Sequence, residues 1–266
     1  KAVEEFKEKD APAAYYFGPA ADGSRPGTYY VNGYDLPSRY LHALAPTTYH
    51  EAIPGHHFQL ALEMELEFLP DLRKHASHIA GNAYVEGWGL YSERLADELG
   101  LYRSEMERFG MLQGQAHRAA RLVVDTGIHA FGWSRDKGVE FMESVGLPRT
   151  DAEIETDRYI AWPGQALAYK LGQLKFLELR ERARRELGAG FDIRAFHDQM
   201  LGGGAHVVSA IGEWKIDGSS GRMRPLAYDC FIDEGTVRQV AWHDRMHALY
   251  WPLKRWVAQR VWAPDG

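Results

Sequence analysis

The segment HEAIPGHH, residues 50–57, most constrains what this chain can fold into. In a continuous helix, residues four positions apart share a face, so the pattern HExxH binds one zinc ion through two histidines and keeps a glutamate beside it. Here Pro54 stands where the second histidine of that pattern would be. Proline lacks a backbone N–H and clashes with the preceding helical turn. A straight helix would therefore point these histidines apart.

The Pro-Gly pair also offers a way to bring the histidines together. Gly55 accepts backbone conformations that other residues avoid, so the pair can absorb two extra residues as a bulge and return His56 to the position of the second ligand. His57 would be in phase with His50 on an ideal helix, but about 10 Å further along it. The segment predicts a metal site in a distorted helix rather than histidines that only cap or pack a helix. It leaves His56 and His57 as alternatives for the second ligand.

A third ligand is expected from a second helix, in the segment NAYVEGWGLYSERLADEL (residues 82–99). Glu86 lies there among apolar and small residues, where a solvated carboxylate is not expected. Gly87 and Gly89 each destabilise a helix by about 1 kcal/mol relative to alanine, which close approach of another helix would justify. Glu93, seven residues further on the same face, is either an acceptor for a histidine N–H or a surface carboxylate. We predict Glu86 as the third ligand.

Composition limits the partners. The chain has 266 residues, a formal net charge of −6 and no apolar run of the roughly 18 residues that span a bilayer, so neither nucleic acid nor a membrane is expected as its main partner. The single cysteine excludes an internal disulfide framework and a cysteine-based zinc site. No secretory signal is recognised within these residues, and they do not predict whether the protein is cytoplasmic or exported.

Hydrophobic periodicity and punctuation predict a mainly α fold. A β-branched and aromatic run at residues 28–32 predicts a short strand. We divide the chain into a catalytic domain, residues 1–204, and a C-terminal extension of mixed structure, residues 205–266, which ends in a Trp-rich amphipathic helix at 244–262. The predicted helices span residues 47–67, 77–99, 103–130, 135–144, 151–159, 163–187 and 192–201.

Several segments resemble the C-terminal catalytic half of the DUF885 family, whose bacterial, mostly helical members are similar to zincin metallopeptidases. They are HEAIPGHHFQ, YVEGWGLYSE, RAARLVVDTGIHAFGW and RYIAWPGQALAYKLGQLKF, and the resemblance runs from about Pro26 to Gly204. It implies a zincin-like helical metallohydrolase domain in which strand 28–32 is an edge that binds an extended substrate. It further implies that His50, His56 and Glu86 bind Zn²⁺ and that Glu51 is the general base. Family members are usually about twice as long as this chain.

Hydrolysis of a carbonyl compound also needs a donor that stabilises the oxyanion. The candidates are Tyr159, Tyr169, His129 and Arg158. Arg121, Asp125 and His129 are spaced at i, i+4 and i+8 along one helical face. Asp125 could orient a ligand histidine while Arg121 or His129 faces the substrate, or the row could form a salt-bridge network between helices.

These observations predict a zinc-dependent hydrolase that cleaves peptide bonds, or small amides and esters, by means of metal-activated water. The alternative is a catalytically weak remnant that binds metal or peptide. A purely helical structural module is the third interpretation, and stoichiometric zinc would exclude it. A homodimer is also expected to be feasible, because a partner subunit could cover a cleft that family members cover with their N-terminal half.

Overall fold

A computed structural model describes residues 1–9, 11–20, 22–69, 74, 82–204, 214–216 and 223–225. The predicted Trp-rich helix at 244–262 lies outside the described residues, as does most of the extension. No described helix is both long enough and apolar enough to cross a bilayer. The helices are α1 (Glu5–Glu8), α2 (Leu44–Glu51), α3 (His56–Glu65), α4 (Asn82–Glu98), α5 (Glu105–Phe131), α6 (Arg135–Ser144), α7 (Arg149–Ala161), α8 (Ala168–Leu187) and α9 (Ile193–Gly202).

The remaining elements are short. Strands β1 (Ala14–Phe17) and β2 (Thr28–Val31) form an antiparallel hairpin, and β3 (Trp214–Ile216) pairs with β4 (Met223–Pro225) in a second one. Two 3₁₀ turns, Leu36–Ser38 and Leu41–Ala43, precede α2. One more precedes α8, at Gln165–Leu167, and another follows it, at Gly188–Gly190.

The mainly α prediction is confirmed, and capping explains why the helices begin and end where they do. Helix α5 begins after Ser104, whose side chain accepts a hydrogen bond from the backbone N–H of Glu107. It ends at Gly132, which has the left-handed conformation that glycine accepts at helix ends (φ 64°). Helix α9 likewise begins after Asp192, whose carboxylate accepts from the backbone N–H of Ala195.

The predicted single helix 47–67 is wrong, because the chain forms two helices there. Helix α2 ends at Glu51 and α3 begins at His56, with a turn between them that contains the cis peptide bond Ile53–Pro54. At Gly55 the chain passes so close to α2 that a Cβ atom would lie 1.8 Å from the carbonyl oxygen of His50. Only glycine fits at this position. The expected bulge is therefore a complete break of the helix.

Helices α4 and α8 pack against each other with glycine on both sides. A Cβ atom on Gly87 would lie 2.5 Å from the backbone of Gly172, and one on Gly172 would lie 1.8 Å from the carbonyl oxygen of Ala83. The close helix approach expected at Gly87 is thus confirmed. It holds α4, which carries Glu86, against α8, which carries Tyr169.

The apolar core has two main parts. Buried side chains of α3, α4, α8 and α9 form one cluster, and those of α5, α6, α7 and the turn before α8 form the other. The first includes Leu60, Trp88, Tyr91, Phe176 and Met200, and the second includes Val124, Val139, Met142 and Tyr159. Helices α3, α4 and α8, which carry His56, Glu86 and Tyr169, are therefore anchored on apolar contacts that the site itself does not supply.

Strand β2 is not an open edge. The terminal amino group of Lys1 donates to the carbonyl of Tyr29 (2.8 Å), the N–H of Val31 donates to Lys1, and the N–H of Val3 donates to Val31. The prediction of a strand at residues 28–32 is confirmed. The expectation that its outer edge is open to an extended substrate is wrong, because residues 1–3 already occupy it.

The glycine contact between α4 and α8 yields a stability prediction. We expect Gly172→Ala to lower the free energy of unfolding by about 1–3 kcal/mol, because the added methyl group forces the two backbones apart. Gly190→Ala is the matched control, since nothing lies within 4 Å of a Cβ atom there. Urea denaturation followed by circular dichroism measures both. Equal stability of the two variants would contradict the close packing.

Candidate metal centre

Three helices bring two imidazoles and one carboxylate to a single point. His50 lies in the last turn of α2, His56 is the first residue of α3, and Glu86 lies on α4. The Nε2 atom of His50 is 3.5 Å from Oε2 of Glu86, and the Nε2 atom of His56 is 3.3 Å from the same oxygen. One ligand atom from each of the three residues lies within 4.8 Å of the others. The helix break makes this convergence possible.

These distances fit a metal ion. Metal–ligand bonds of 2.0–2.2 Å in tetrahedral geometry separate neighbouring ligand atoms by about 3.3–3.6 Å. The separations of the two imidazole nitrogens from Oε2 of Glu86, 3.3 and 3.5 Å, lie within that range, and all three ligand atoms lie within 4.8 Å of one another. Two imidazoles and one carboxylate suit zinc and other transition metals, and three protein ligands leave a fourth position for water or substrate. The residues present could hold a metal ion of this class.

Gly89 makes room for the first of these ligands. A Cβ atom at this position would lie 2.6 Å from Nε2 of His50 and within 3 Å of two other atoms of its ring. The imidazole therefore lies directly against the backbone of α4, one turn from Glu86. Any larger side chain at position 89 would displace the ring.

A buried carboxylate orients His50. The Nδ1 atom of His50 is 2.8 Å from Oε1 of Glu93, which is only 2% exposed. Donation of the Nδ1 proton to Glu93 leaves the lone pair of Nε2 directed at the metal position, which is the arrangement typical of metal-binding histidines. Of the two roles expected for Glu93, the structure therefore supports the acceptor and not the surface carboxylate. His56 has a longer contact of the same kind, 3.5 Å from Nδ1 to Oε1 of Gln59.

The charges of the cluster favour a cation at its centre. Burial opposes protonation of His50, but its hydrogen bonds to Glu86 and Glu93 prevail and raise its pKa to about 9. Burial likewise opposes ionisation of Glu86, yet its hydrogen bonds to the two histidines hold its pKa well below the usual value. The carboxylate thus remains charged, and positive charge near it is stabilised. A divalent metal ion meets this requirement.

His57 points elsewhere. Its Nδ1 atom is 3.1 Å from the hydroxyl group of Tyr16 on β1, and the two rings meet edge to face. His56 shares Glu86 with His50, whereas His57 contacts the hairpin. The geometry therefore favours His56 as the second ligand.

Glu51, the predicted general base, immediately follows His50 at the end of α2. Its side chain is half-buried, and no hydrogen bond or ion pair of this carboxylate occurs within the described residues. Its negative charge contributes to the raised pKa values of His50 and of Tyr29 on β2. The role of Glu51 in proton transfer stays a prediction, and its uncommitted carboxylate is compatible with that role.

Tyr169 and Arg158 lie next to the cluster. The ring of Tyr169 stacks on that of His50, with centroids 6.1 Å apart and planes 26° apart. The Tyr169 hydroxyl accepts hydrogen bonds from Nη2 of Arg158 (3.2 Å) and from the side-chain amide of Gln165 (3.4 Å). The structure thus brings Tyr169 against His50 and Arg158 against Tyr169, and the catalytic roles of both stay predictions.

Tyr159 and His129 are held in other contacts. Tyr159 is 1% exposed in the second core cluster, and its hydroxyl is 3.4 Å from Nε2 of His117. His129 is exposed, and its Nε2 atom bonds to the backbone carbonyl of Tyr159 (2.9 Å). These contacts favour a packing role for both residues, and their proposed part in oxyanion binding is not supported by a contact to the metal ligands.

The row Arg121, Asp125 and His129 joins α5 to α7 and to the turn that follows it. Arg121 lies 3.7 Å from Glu155, and Asp125 accepts from the backbone N–H of Gly164 at 3.0 and 3.3 Å. Burial raises the pKa of Asp125 to about 6. The prediction of one helical face is confirmed. Asp125 orients a backbone turn, however, and the carboxylate that orients His50 is Glu93.

Sequence reasoning missed several residues around the cluster, namely Tyr16, Gln59, Arg118, Glu155 and Gln165. A sequence signal exists for three of them. Gln165 follows Trp-Pro-Gly in a segment already singled out, and Glu155 precedes Arg158 by three residues, the spacing of an ion pair on a helix. Gln59 follows His56 at the same spacing. Tyr16 and Arg118 carry no such signal, because their contacts with His57 and Tyr169 join distant elements.

Comparisons with known proteins match most of the part of the chain that the structure describes. The family model described as "Bacterial protein of unknown function (DUF885)" matches residues 1–212, which adds residues 1–25 and 205–212 to the resemblance noted above. A crystal structure of a "putative lipoprotein" from Colwellia psychrerythraea is 46% identical with a TM-score of 0.76, and covers 79% of this chain and 36% of that one. A second, from Shewanella oneidensis and described as of unknown function, is 25% identical with a TM-score of 0.60, and covers 79% of this chain and 39% of its own. The chain thus spans less than half of either protein. Comparison with the curated proteins found no match.

The adjacent histidines allow a matched test of metal binding. We expect the wild-type protein to bind one equivalent of zinc, and His56→Ala to lose that binding because it removes a ligand. His57→Ala should retain it, since that ring contacts Tyr16 instead. Elemental analysis after dialysis and calorimetric titration measure the stoichiometry and the affinity. Loss of zinc in His57→Ala with retention in His56→Ala would reverse the assignment.

Glu93 provides a second prediction. Glu93→Gln removes the charge that fixes the tautomer of His50, so we expect zinc affinity to fall about 10- to 100-fold with the stoichiometry unchanged. Calorimetric titration measures this change. Glu65→Gln, at an exposed position on α3, is the control and should bind zinc like the wild type. An unchanged affinity in Glu93→Gln would show that the hydrogen bond to His50 does not tune the site.

Proposed function

We propose that this chain, which belongs to the DUF885 family, is a zinc-dependent hydrolase of the zincin-like type that cleaves peptide amide or ester bonds. The observation that carries the proposal is the convergence of His50, His56 and Glu86 with the spacing of a three-ligand metal site. The Glu93 contact to His50 supports it, because structural packing alone does not require a buried carboxylate behind a buried histidine.

Zinc bound there would lower the pKa of a water molecule towards about 7 and polarise a carbonyl oxygen. Its position next to His50 and its uncommitted carboxylate support Glu51 as the general base of this proposal. It would accept a proton from the attacking water and deliver it to the leaving nitrogen or oxygen. The C–N or C–O bond breaks, a new C–O bond forms, and one water molecule is consumed.

Tyr169 is the donor best suited to stabilise the developing oxyanion. Its hydroxyl accepts two hydrogen bonds, from Arg158 and Gln165, so its own proton remains available for donation. Stacking on His50 holds the ring beside the ligands. Arg158 then acts on Tyr169 as a positioning residue, by fixing the direction of the hydroxyl group.

Substitution of the base tests the catalytic part of the proposal. With zinc bound, we expect Glu51→Gln to lower kcat about 100- to 10,000-fold, since the amide cannot accept the proton. Its zinc content should equal that of the wild type, because Glu51 is not a ligand. Hydrolysis of a panel of peptides and aryl esters provides the measurement, with Glu65→Gln as the exposed-carboxylate control.

The outcomes separate the two functions under consideration. Activity of the wild type that Glu51→Gln loses supports a hydrolase with Glu51 as its base. Full activity in Glu51→Gln removes that residue from the mechanism. Stoichiometric zinc in a wild type that cleaves no member of the panel would favour a metal- or peptide-binding remnant.

A further inference from the structure

Three guanidinium groups surround Tyr169, next to the metal ligands. The Cζ atom of Arg121 lies 4.0 Å from the centre of the Tyr169 ring, and that of Arg118 lies 5.4 Å from it. Arg158 bonds to the hydroxyl of the same ring. Because Tyr169 stacks on His50, these cations lie on the side of His50 that carries the proposed oxyanion donor.

The carboxylates found around these arginines do not balance their charge. Glu155 is the acidic partner that the described residues provide for Arg121 and Arg158, and both contacts are long, at 3.7 and 3.5 Å. Glu86 is near enough to raise the pKa of both arginines, but it is directed at the two histidines and would be neutralised by a bound metal ion. The cluster of Arg118, Arg121 and Arg158 therefore keeps an excess of positive charge.

Its hydrogen bonding is also incomplete. The Nε atoms of Arg118 and Arg121 and one oxygen of Glu155 are buried without a hydrogen-bond partner. Arg121 as a whole is only 1% exposed. His117, which adjoins Arg118, stays neutral because burial holds its pKa well below the usual value. Its Nδ1 atom accepts a hydrogen bond from Nη1 of Arg118 (2.8 Å) but brings no negative charge. The unpartnered oxygen of Glu155 is a free acceptor, but it adds no further negative charge, so the guanidinium groups still exceed their acidic partner. Such an excess of buried positive charge is unfavourable unless an anion balances it.

Arg158 is the member of the cluster that a ligand can reach. Its side chain is 28% exposed, and its hydrogen bonds to Glu155, Gln165 and Tyr169 are all between 3.2 and 3.5 Å. Such long contacts leave the guanidinium able to rearrange onto a better acceptor. A carboxylate suits it, because two parallel N–H donors match two carboxylate oxygens.

We propose that Arg158, with Arg118 and Arg121 behind it, binds the C-terminal carboxylate of a peptide, so that the protein removes the last residue of its substrate. This inference rests on the proposed hydrolase function. The α-carboxylate of a terminal residue lies about 3–6 Å from the carbonyl oxygen of the preceding peptide bond. The Tyr169 hydroxyl would link the two groups of the substrate, because it would donate a hydrogen bond to the oxyanion and already accepts one from Arg158, which would bind the carboxylate. Substrates that continue beyond this residue lack the anion that the arginines require.

The wild-type holoenzyme tests the proposal without any variant. A blocked peptide with a free C-terminal carboxylate is compared with the same peptide ending in a carboxamide. We expect kcat/KM to be about 10- to 100-fold higher for the acid, and the product to be a free C-terminal amino acid. Equal cleavage of the two peptides, or cleavage at internal bonds, would overturn the inference and leave the hydrolase function intact.

Substitution of Arg158 then tests whether this residue determines the preference for a free C-terminal carboxylate. Arg158→Gln should reduce the preference for the acid towards unity, because any loss of kcat through the Tyr169 hydroxyl affects the acid and the carboxamide alike and cancels in their ratio. Arg158→Lys keeps a charge but not the paired donors and should restore part of the preference. Arg135→Gln is the control, because Arg135 pairs with Asp157 of α7 at the surface and should leave the preference unchanged. A preference that survives in Arg158→Gln would contradict the assignment.

A binding measurement separates failure of this inference from failure of the proposed function. Glu51→Gln holoprotein is titrated calorimetrically with the acid and with the carboxamide peptide. Tighter binding of the acid supports the arginine site even if no hydrolysis is found in the wild type. Equal affinities count against the arginine site whether or not the protein is a hydrolase.

Discussion

The contact between Gly55 and the end of α2 is the constraint on which the rest of the site depends. Because no Cβ atom fits between Gly55 and the carbonyl of His50, the chain can turn back tightly enough to start a new helix at His56. That turn converts two histidines, six positions apart, into neighbours whose rings meet edge to face with centroids 4.7 Å apart. Glu86 completes the group only because glycines at positions 87 and 89 let α4 approach both α8 and the ring of His50.

Electrostatics divides the site into two regions with opposite requirements. Around His50, two carboxylates, Glu86 and Glu93, stabilise positive charge at the centre of three ligands. Around Tyr169, three arginines outnumber the carboxylate that contacts them and favour an anion. Tyr169 lies between the two regions and contacts both. A substrate with a carbonyl oxygen near one and a carboxylate near the other would satisfy both requirements, which is the basis of the proposed specificity.

Local patterns predicted what depends on local physics. The positions of the helices follow from apolar periodicity and from caps such as Ser104 and Gly132. Glu86 was predicted as a metal ligand because its carboxylate lies among apolar residues and next to two glycines. The patterns failed where the partner was distant in sequence. No residue near Asp125 in the sequence indicated that its carboxylate would accept a hydrogen bond from the N–H of Gly164. Likewise, no residue near strand β2 indicated that residues 1–3 would cover its edge.

By itself the sequence indicated a candidate metal site: three histidines and a glutamate around a Pro-Gly break, with Glu86 and Glu93 available from a second helix. It could not choose between His56 and His57, since ring direction depends on how the chain turns at Gly55 and on whether Tyr16 is there to accept His57. It likewise could not show that Arg118, Arg121 and Arg158 gather around one tyrosine. Those choices belong to the tertiary structure, because the atoms that decide them meet only after helices far apart in the chain have packed against each other.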